Sequence, residues 1–382
     1  MKIAIIYDML YPFNVGGAEI RNYQMAKQLS LRHEVHLFGV KMWIGPDVIK
    51  REGIIYHGVC RYSKMYNFDG ARTIWEPIKF ALKLFFPLLR EKFDIIDTSS
   101  FVYFHCFVCK AVSILNKTPL ILTWHQYWSD YWYDYIGGLQ AFVGKLIEKT
   151  VKNLTQNHIA VSLTTRKDLI NAGVPPKNIF VVYNGVNLNI VKKTPISQEK
   201  FDVLFVGRLI HQKNIGLLIK TADLIRKDFP NLKVGIIGNG PNYEQLKKMS
   251  VKLGLEKNII FLGFLSNLKD VYAYMKAAKI FVLPSLLEGF GIVVIEANAN
   301  GLPVIVVKNK WNAAVELVTN GKNGFIVDNN IDDLAKKISY LLKNDNIRFS
   351  MKNEAQKFAA NFDWQNLAEK LEIIYTNIKN EQ

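Results

Sequence analysis

Two carboxylates, a glycine-flanked loop and two cations stand at spacings that suit the handling of an anion. In Pro284-Ser285-Leu286-Leu287-Glu288-Gly289-Phe290-Gly291-Ile292 an apolar run ends, a loop follows and helical spacing begins. Gly301 and Pro303 then stop that spacing, which predicts a helix over residues 292–300. The first amides, around Phe290, Gly291, Ile292 and Val293, would face an anion together with the positive end of the helix dipole. Glu288 stands just before this helix and Glu296 about one turn inside it. Carboxylates repel a bound anion, so both are better used to accept hydrogen bonds from hydroxyl groups; the plainer alternative is that Glu288 caps the helix and Glu296 is solvated. Arg208 follows the apolar run Phe201–Val206, and Lys213 lies five residues further on. A guanidinium and an ammonium so placed suit a diphosphate, neutralising charge that grows as it departs, with solvated surface charge as the alternative.

Weaker signals surround this group. Gly16 and Gly17 precede a helical pattern, and Gly238-Asn239-Gly240-Pro241 follows a strand-like run, but neither completes GxGxxG, so a nicotinamide-dinucleotide fold has little support. Cys106 and Cys109 form a CxxC within an apolar helical stretch and lack partners for a four-ligand zinc site, so they are expected in the interior. After His125, the segment Gln126–Tyr135 interleaves Tyr and Trp with Asp130 and Asp134. Trp128, Asp130 and Trp132 are candidates for a platform that packs sugar rings. The alternative is an amphipathic helix burying Trp124, Trp128 and Trp132 at i, i+4 spacing. Arg72 to Lys92 is basic and apolar together, fitting an anionic lipid surface, although Pro77 and Pro87 should break one long helix and interior packing is the rival reading.

The elements that must position these residues are legible from the apolar periodicity. With 382 residues, 49% of them hydrophobic and 21% charged, the chain is long enough for two or three domains and too apolar to be largely disordered. The formal charge of +16 favours anionic partners, and three cysteines are too few for a disulfide framework. The apolar start, stopped by Asp8, is far too short for a signal-peptide core, and no stretch reaches about 18 uninterrupted apolar residues, so membrane contact is expected to be peripheral. Short apolar runs at the N-terminus, Glu34–Gly39, Phe93–Asp97 and Pro119–Thr123 alternate with helical patterns. The alternation restarts at Phe201 and continues through Val234, Ile259, Ile280, Pro303 and Gly324. That is the pattern of two doubly wound α/β lobes with parallel sheets, whose ligands bind at strand carboxyl ends, here in a cleft between the lobes. The expected division is 1–191, 192–362 and a last helix over 363–382, with the hinge at Asn184-Gly185-Val186-Asn187 and the polar stretch after it.

Taken in order, Gly16-Gly17-Ala18-Glu19, His125, Asn184-Gly185-Val186, Gly207-Arg208 with Lys213-Asn214, Gly238-Asn239-Gly240-Pro241, Leu262-Gly263 and the Glu-x7-Glu pair Glu288/Glu296 resemble glycosyltransferase family 4 over nearly the whole chain. The resemblance implies a GT-B fold of two Rossmann-like domains, and retaining, metal-independent transfer from a nucleoside-diphosphate sugar to a saccharide or lipid-linked saccharide. It implies that Arg208 and Lys213 hold the donor diphosphate together with the amides of Phe290, Gly291 and Ile292. Glu288 would accept from donor-sugar hydroxyls and Glu296 from the ribose. Gly16 and Gly17 would lie by the phosphate, His125 by the reacting sugar, and Gly263, Phe264 and Leu265 by the base. The final helix would cross back to the first domain. Asn187 departs from the Asp frequent in the family after Asn-Gly-Val. No Asp-x-Asp triplet of metal-dependent transferases is present, and no cofactor is expected. A cytoplasmic location, on the inner face of the cell membrane, would follow. The rivals are an epimerase or phosphorylase on the same fold, and a carbohydrate-binding protein without catalysis; no nucleic-acid-binding signature is evident.

Overall fold

The computed structural model describes residues 1–63 and 73–381, so Arg72 of the basic-apolar segment lies outside the described residues. The chain divides into two compact units, Met1–Asn184 with Trp364–Gln382, and Gly185–Asp363.

The first unit holds an eight-stranded sheet made of Lys2–Ile6 (β1), Glu34–Lys41 (β2), Val48–Arg51 (β3), Ile54–Arg61 (β4), Ile95–Ser99 (β5), Leu120–Trp124 (β6), Asn157–Ala160 (β7) and Ile179–Val181 (β8). Their order is β3-β4-β2-β1-β5-β6-β7-β8. Every pairing is parallel except β3 with β4. That hairpin turns through Glu52 and Gly53, both at positive φ, as a two-residue turn requires; it is absent from the sequence reading. Successive residues of a strand face opposite sides of the sheet, so each strand feeds two cores. Ile3 and Ile5 pack with Leu371 and Tyr375 of the last helix, whereas Ala4 and Ile6 pack with Phe80, Leu84 and Leu88. The last helix, Trp364–Asn380, is pinned to the sheet by the Tyr375 hydroxyl, which donates to Asp97, while Thr123 Oγ1 donates to the other Asp97 oxygen at 2.7 Å.

The second unit contains Phe201–Val206 (β9), Val234–Ile237 (β10), Ile259–Gly263 (β11), Ala278–Leu283 (β12), Leu287–Glu288 (β13), Val304–Val307 (β14), Trp311–Asn312 (β15) and Gly324–Val327 (β16). Six of them form a parallel sheet, β11-β10-β9-β12-β14-β16, and β13 pairs with β15. The units part at Gly185, earlier than the expected residue 192. The reason is local: Asn187 Oδ1 accepts from Ile190 N to cap a helix Leu188–Lys193, and Lys276 Nζ holds the end of that helix at Val191 O and Thr194 O, 2.6 Å each. Asn187 is thus the N-cap of this helix.

Two local expectations are corrected. Trp75–Leu89 is one continuous helix despite its prolines: Pro77 lies in the first turn, where an amide has no helical acceptor, and Pro87 lies near the end. The Trp124–Trp128–Trp132 stripe is not helical, because Trp124 ends β6, Trp128 lies in a turn and Trp132 lies in a short helix, Tyr131–Tyr135. Cys106 and Cys109 are fully buried on the helix Phe104–Asn116, as expected.

Candidate active site

In the second sheet the winding reverses between β9 and β12, and ligand-binding loops leave the strand carboxyl ends at such a reversal. Arg208 leaves β9, and the loop carrying Glu288 leaves β12. Leu286 N donates to Gln212 O at 2.8 Å, tying the two loops together. Across this tie Lys213 Nζ meets Glu288 Oε1 at 2.5 Å, with side chains only 18% and 11% exposed. The Glu288 carboxylate and the Lys213 ammonium are therefore charge-matched to each other. Glu288 does not cap the helix; it sits in β13, opposite Asn312 of β15, whose amide donates to Ser285 O and Val307 O.

Gly291 is the N-cap of the helix Ile292–Ala299, at φ +88, and a Cβ there would meet the Ala314 Cβ at 2.7 Å. Only glycine lets the loop enter the helix at this angle, leaving the first-turn amides of Ile292 and Val293 without helical acceptors. Phe290 is buried beside Phe362. Glu296, one turn inside, accepts a hydrogen bond from the Tyr272 hydroxyl at 3.0 Å. Burial pushes its carboxyl up to about 7, with the Tyr272 bond opposing. The solvated alternative for Glu296 is overturned. Tyr272, on the helix Leu268–Ala277, is a residue that sequence reading missed, since nothing local to either residue announces a pairing made across two helices.

The glycines after β10 serve close approach. A Cβ on Gly238 would lie 1.9 Å from Gly207 O, and Gly238 N donates to Gly263 O at 2.8 Å. Gly263 is at φ +71, Phe264 is 57% exposed, Leu265 is half-buried and Arg208 is exposed.

In the first unit the winding reverses between β1 and β5. Gly16 is the N-cap, and Gly17 the first residue, of the helix Gly17–Leu29, where Asn14 Nδ2 donates to Glu19 Oε1 at 2.5 Å. Asn22 on this helix donates to Ser99 Oγ at the end of β5, which contacts His125 Nε2, each at 3.1 Å. Burial, with the charge of Arg21 second, depresses His125 to about 3, so its imidazole is neutral at physiological pH. Arg21 is itself buried, donating to Tyr183 O at 2.7 Å and Asn184 Oδ1 at 3.0 Å. Asn22, Ser99 and Arg21 escaped the sequence reading because their relation to His125 is made by strand order.

The aromatic platform is only partly present. Trp132 is buried against Trp128 and Tyr103, so it offers no open face. Trp128 is half-buried, and exposed Asp130 pairs with Lys145 at 2.6 Å.

Against known families, the description Glycosyltransferase Family 4 matches residues 15–190 and Glycosyl transferases group 1 matches residues 187–358. The chain belongs to glycosyltransferase family 4. This glycosyltransferase is 27% identical to the Campylobacter jejuni N-acetylgalactosamine-N,N'-diacetylbacillosaminyl-diphospho-undecaprenol 4-alpha-N-acetylgalactosaminyltransferase, over 93% of this chain and 94% of the relative. A Methanocaldococcus jannaschii uncharacterized glycosyltransferase is also 27% identical, over 98% of each chain. Its fold is GT-B: sucrose-phosphate synthase from Thermosynechococcus elongatus superposes with a TM-score of 0.81 at 19% identity over 100% of each chain. Anabaena HepE in complex with UDP-glucose superposes at 0.76, with 21% identity over 99% of this glycosyltransferase and 100% of that chain.

Proposed function

We propose that the enzyme transfers a sugar, with retention of configuration, from a nucleoside-diphosphate sugar to a hydroxyl of a saccharide or lipid-linked saccharide, with no metal at the diphosphate. The observation that carries this reading is the Lys213–Glu288 pair on tied loops at the winding reversal of the second sheet, with Arg208 on the same loop as Lys213 and the helix Ile292–Ala299 following Glu288. A diphosphate competing for the Lys213 ammonium would release Glu288 to accept from sugar hydroxyls. Arg208 and the amides of Phe290, Gly291 and Ile292 would meet the diphosphate oxygens with positive charge and directed hydrogen-bond donors, in place of the Lewis acid a divalent ion supplies elsewhere. Glu296 is matched to a ribose, and Gly263, Phe264 and Leu265 to a base. In the first unit, Gly16 and Gly17 would lie by the phosphate and neutral His125, held by Ser99, would orient a hydroxyl on the reacting sugar. The acceptor hydroxyl attacks on the face the diphosphate leaves, forming the new glycosidic bond as the sugar–phosphate bond breaks, and its proton passes to the departing phosphate oxygen.

A lipid-linked acceptor is supported by the name of the Campylobacter jejuni relative, which carries diphospho-undecaprenol. It is supported also by the outer face of the helix Trp75–Leu89, where Trp75, Leu82 and Phe86 are 79%, 71% and 65% exposed among the exposed Lys79 and Lys83, with Arg90 following. No helix among the described residues is long and apolar enough to cross a membrane. The reading is a peripheral enzyme on the anionic inner face of the cell membrane. Uridine and guanosine diphosphate sugars, offered with an undecaprenyl-diphosphate saccharide in excess chelator, should release nucleoside diphosphate only when the acceptor is present, and the product should keep the α configuration by NMR. A β product, or turnover lost to the chelator, would overturn it; release without acceptor favours an epimerase or hydrolase.

A further inference from the structure

On the first unit, apart from every residue assigned above, two buried histidines meet. His36 on β2 and His57 on β4 approach Nδ1 to Nε2 at 2.7 Å, with rings stacked 5.0 Å apart. Glu91, in the turn before β5, brings Oε2 to 3.9 Å from His36 Nδ1. These three ligand atoms lie within 4.8 Å of one another. His36 Nε2 is 2.8 Å from Glu34 Oε1. A carboxylate there accepts the Nε2 proton and leaves Nδ1 as the bare, metal-binding nitrogen, which is the arrangement in which an outer carboxylate orients a histidine ligand. Phe38 stacks on His57 at 4.2 Å and Phe93 lies edge-on to His36 at 5.1 Å, giving the pair an apolar surround. Glu34 and Glu91, 50% and 34% exposed, form the path to solvent. One cation opposes an ion: Lys2 Nζ sits 2.6 Å from Glu91 Oε2 and 3.0 Å from Glu34 Oε1.

We propose that His36 Nδ1, His57 Nε2 and Glu91 bind a divalent transition metal ion of the zinc class, with water completing a tetrahedron, and that the ion is structural. Bonds of about 2.0–2.1 Å at tetrahedral angles put two nitrogens about 3.3 Å apart, so the imidazoles need to part by about half an ångström. His57 moves its proton to Nδ1, and Lys2 gives up one Glu91 oxygen. The ion would join β2, β4 and the turn leading into β5, and take no part in holding the diphosphate. A neutral imidazole pair sharing one N–H···N hydrogen bond answers the 2.7 Å contact equally well, and titration separates the two. The full chain, stripped by chelator, is titrated with Zn2+ by calorimetry and with Co2+ by visible absorption. The proposal expects one ion per chain, four-coordinate Co2+ bands, and a rise in melting temperature. Glu34→Gln should weaken uptake by about 10–100-fold and Lys2→Gln should tighten it. Glu91→Gln, at a half-exposed position that folding tolerates, should cost at least about tenfold in affinity while leaving turnover at permissive temperature unchanged. Absence of uptake by the stripped chain, or uptake that Glu91→Gln and the His36→Gln/His57→Gln double variant leave unchanged, overturns it.

Discussion

Glu296→Gln tests the half-buried carboxylate of the candidate site directly. The Glu296 carboxyl is raised from 4.5 to about 7, chiefly by burial. A raised value means that the folded protein holds the proton more tightly than the unfolded chain. The group's contribution is therefore complete below about pH 4.5 and is lost as pH climbs through about 7. Linking the two values, folding should lose about 2 kcal/mol between about pH 5.5 and pH 8 through this group alone. Because the side chain is half-buried, water screens part of this, and about 2 kcal/mol is an upper value. Glutamine cannot ionise yet keeps an oxygen for the Tyr272 hydroxyl. Denaturant melts of both proteins across that range should give stability curves that diverge, with the variant gaining as pH rises. The same variant should bind nucleoside diphosphate more weakly at pH 8, where the carboxylate would accept from a ribose. Parallel curves would refute the burial argument, and unaltered nucleotide affinity would remove Glu296 from the donor site.

Other outcomes follow from the same geometry. Arg208→Ala should lower kcat by about 10²–10³, measured as acceptor-dependent diphosphate release; Lys213→Ala should do the same and also destabilise, because it strands Glu288, so Lys213→Ala/Glu288→Gln should recover stability but not turnover. Gly291→Ala, at φ +88 with Ala314 at 2.7 Å, should cost about 1–3 kcal/mol in denaturant melts and weaken nucleotide binding. His125 and His158 are depressed by burial to about 3 and about 4, so their contribution is complete above about pH 6.5 and is lost as pH falls, at up to about 1.4 kcal/mol per pH unit each. His158 accepts from the Trp124 indole N–H at 3.1 Å, and His158→Gln should flatten the acid limb of the stability curve by one proton's worth.

What the sequence made legible is what short-range physics dictates. The strands carry β-branched runs because they are buried on both faces, and the helix over 292–299 is bounded by Gly291 and Gly301, both at positive φ. The pairing of Arg208 and Glu288 loops was inferable from their places at strand ends. What stayed hidden depends on contacts across the fold. Lys213 and Glu288 are 75 residues apart, and their contact exists because β9 and β12 are neighbours. The aromatic run after His125 misled for a related reason: i, i+4 spacing looks helical, yet β6 runs through Trp124 and a turn reverses the chain before Trp132 is buried. Pro77 misled because its cost depends on position within the helix, and the helix start was not legible from composition.

The Lys213–Glu288 contact also changes how the formal charge of +16 bears on function. That pair is neutral as a unit, and with Glu296 near half protonation at neutral pH the site itself contains little of the excess. On the proposed reading, attraction for a diphosphate would then come from directed donors, the exposed Arg208 guanidinium and the amides at a helix entrance, whose strength lies in geometry. A diffuse field is screened over about 10 Å at ordinary ionic strength, whereas short donor–acceptor contacts are screened far less. On the proposed reading, Lys79 and Lys83, beside exposed Trp75 and Phe86, would act instead on an extended anionic surface. Net charge and donor affinity would therefore answer to different parts of the molecule, and composition alone points to an anion without saying which kind.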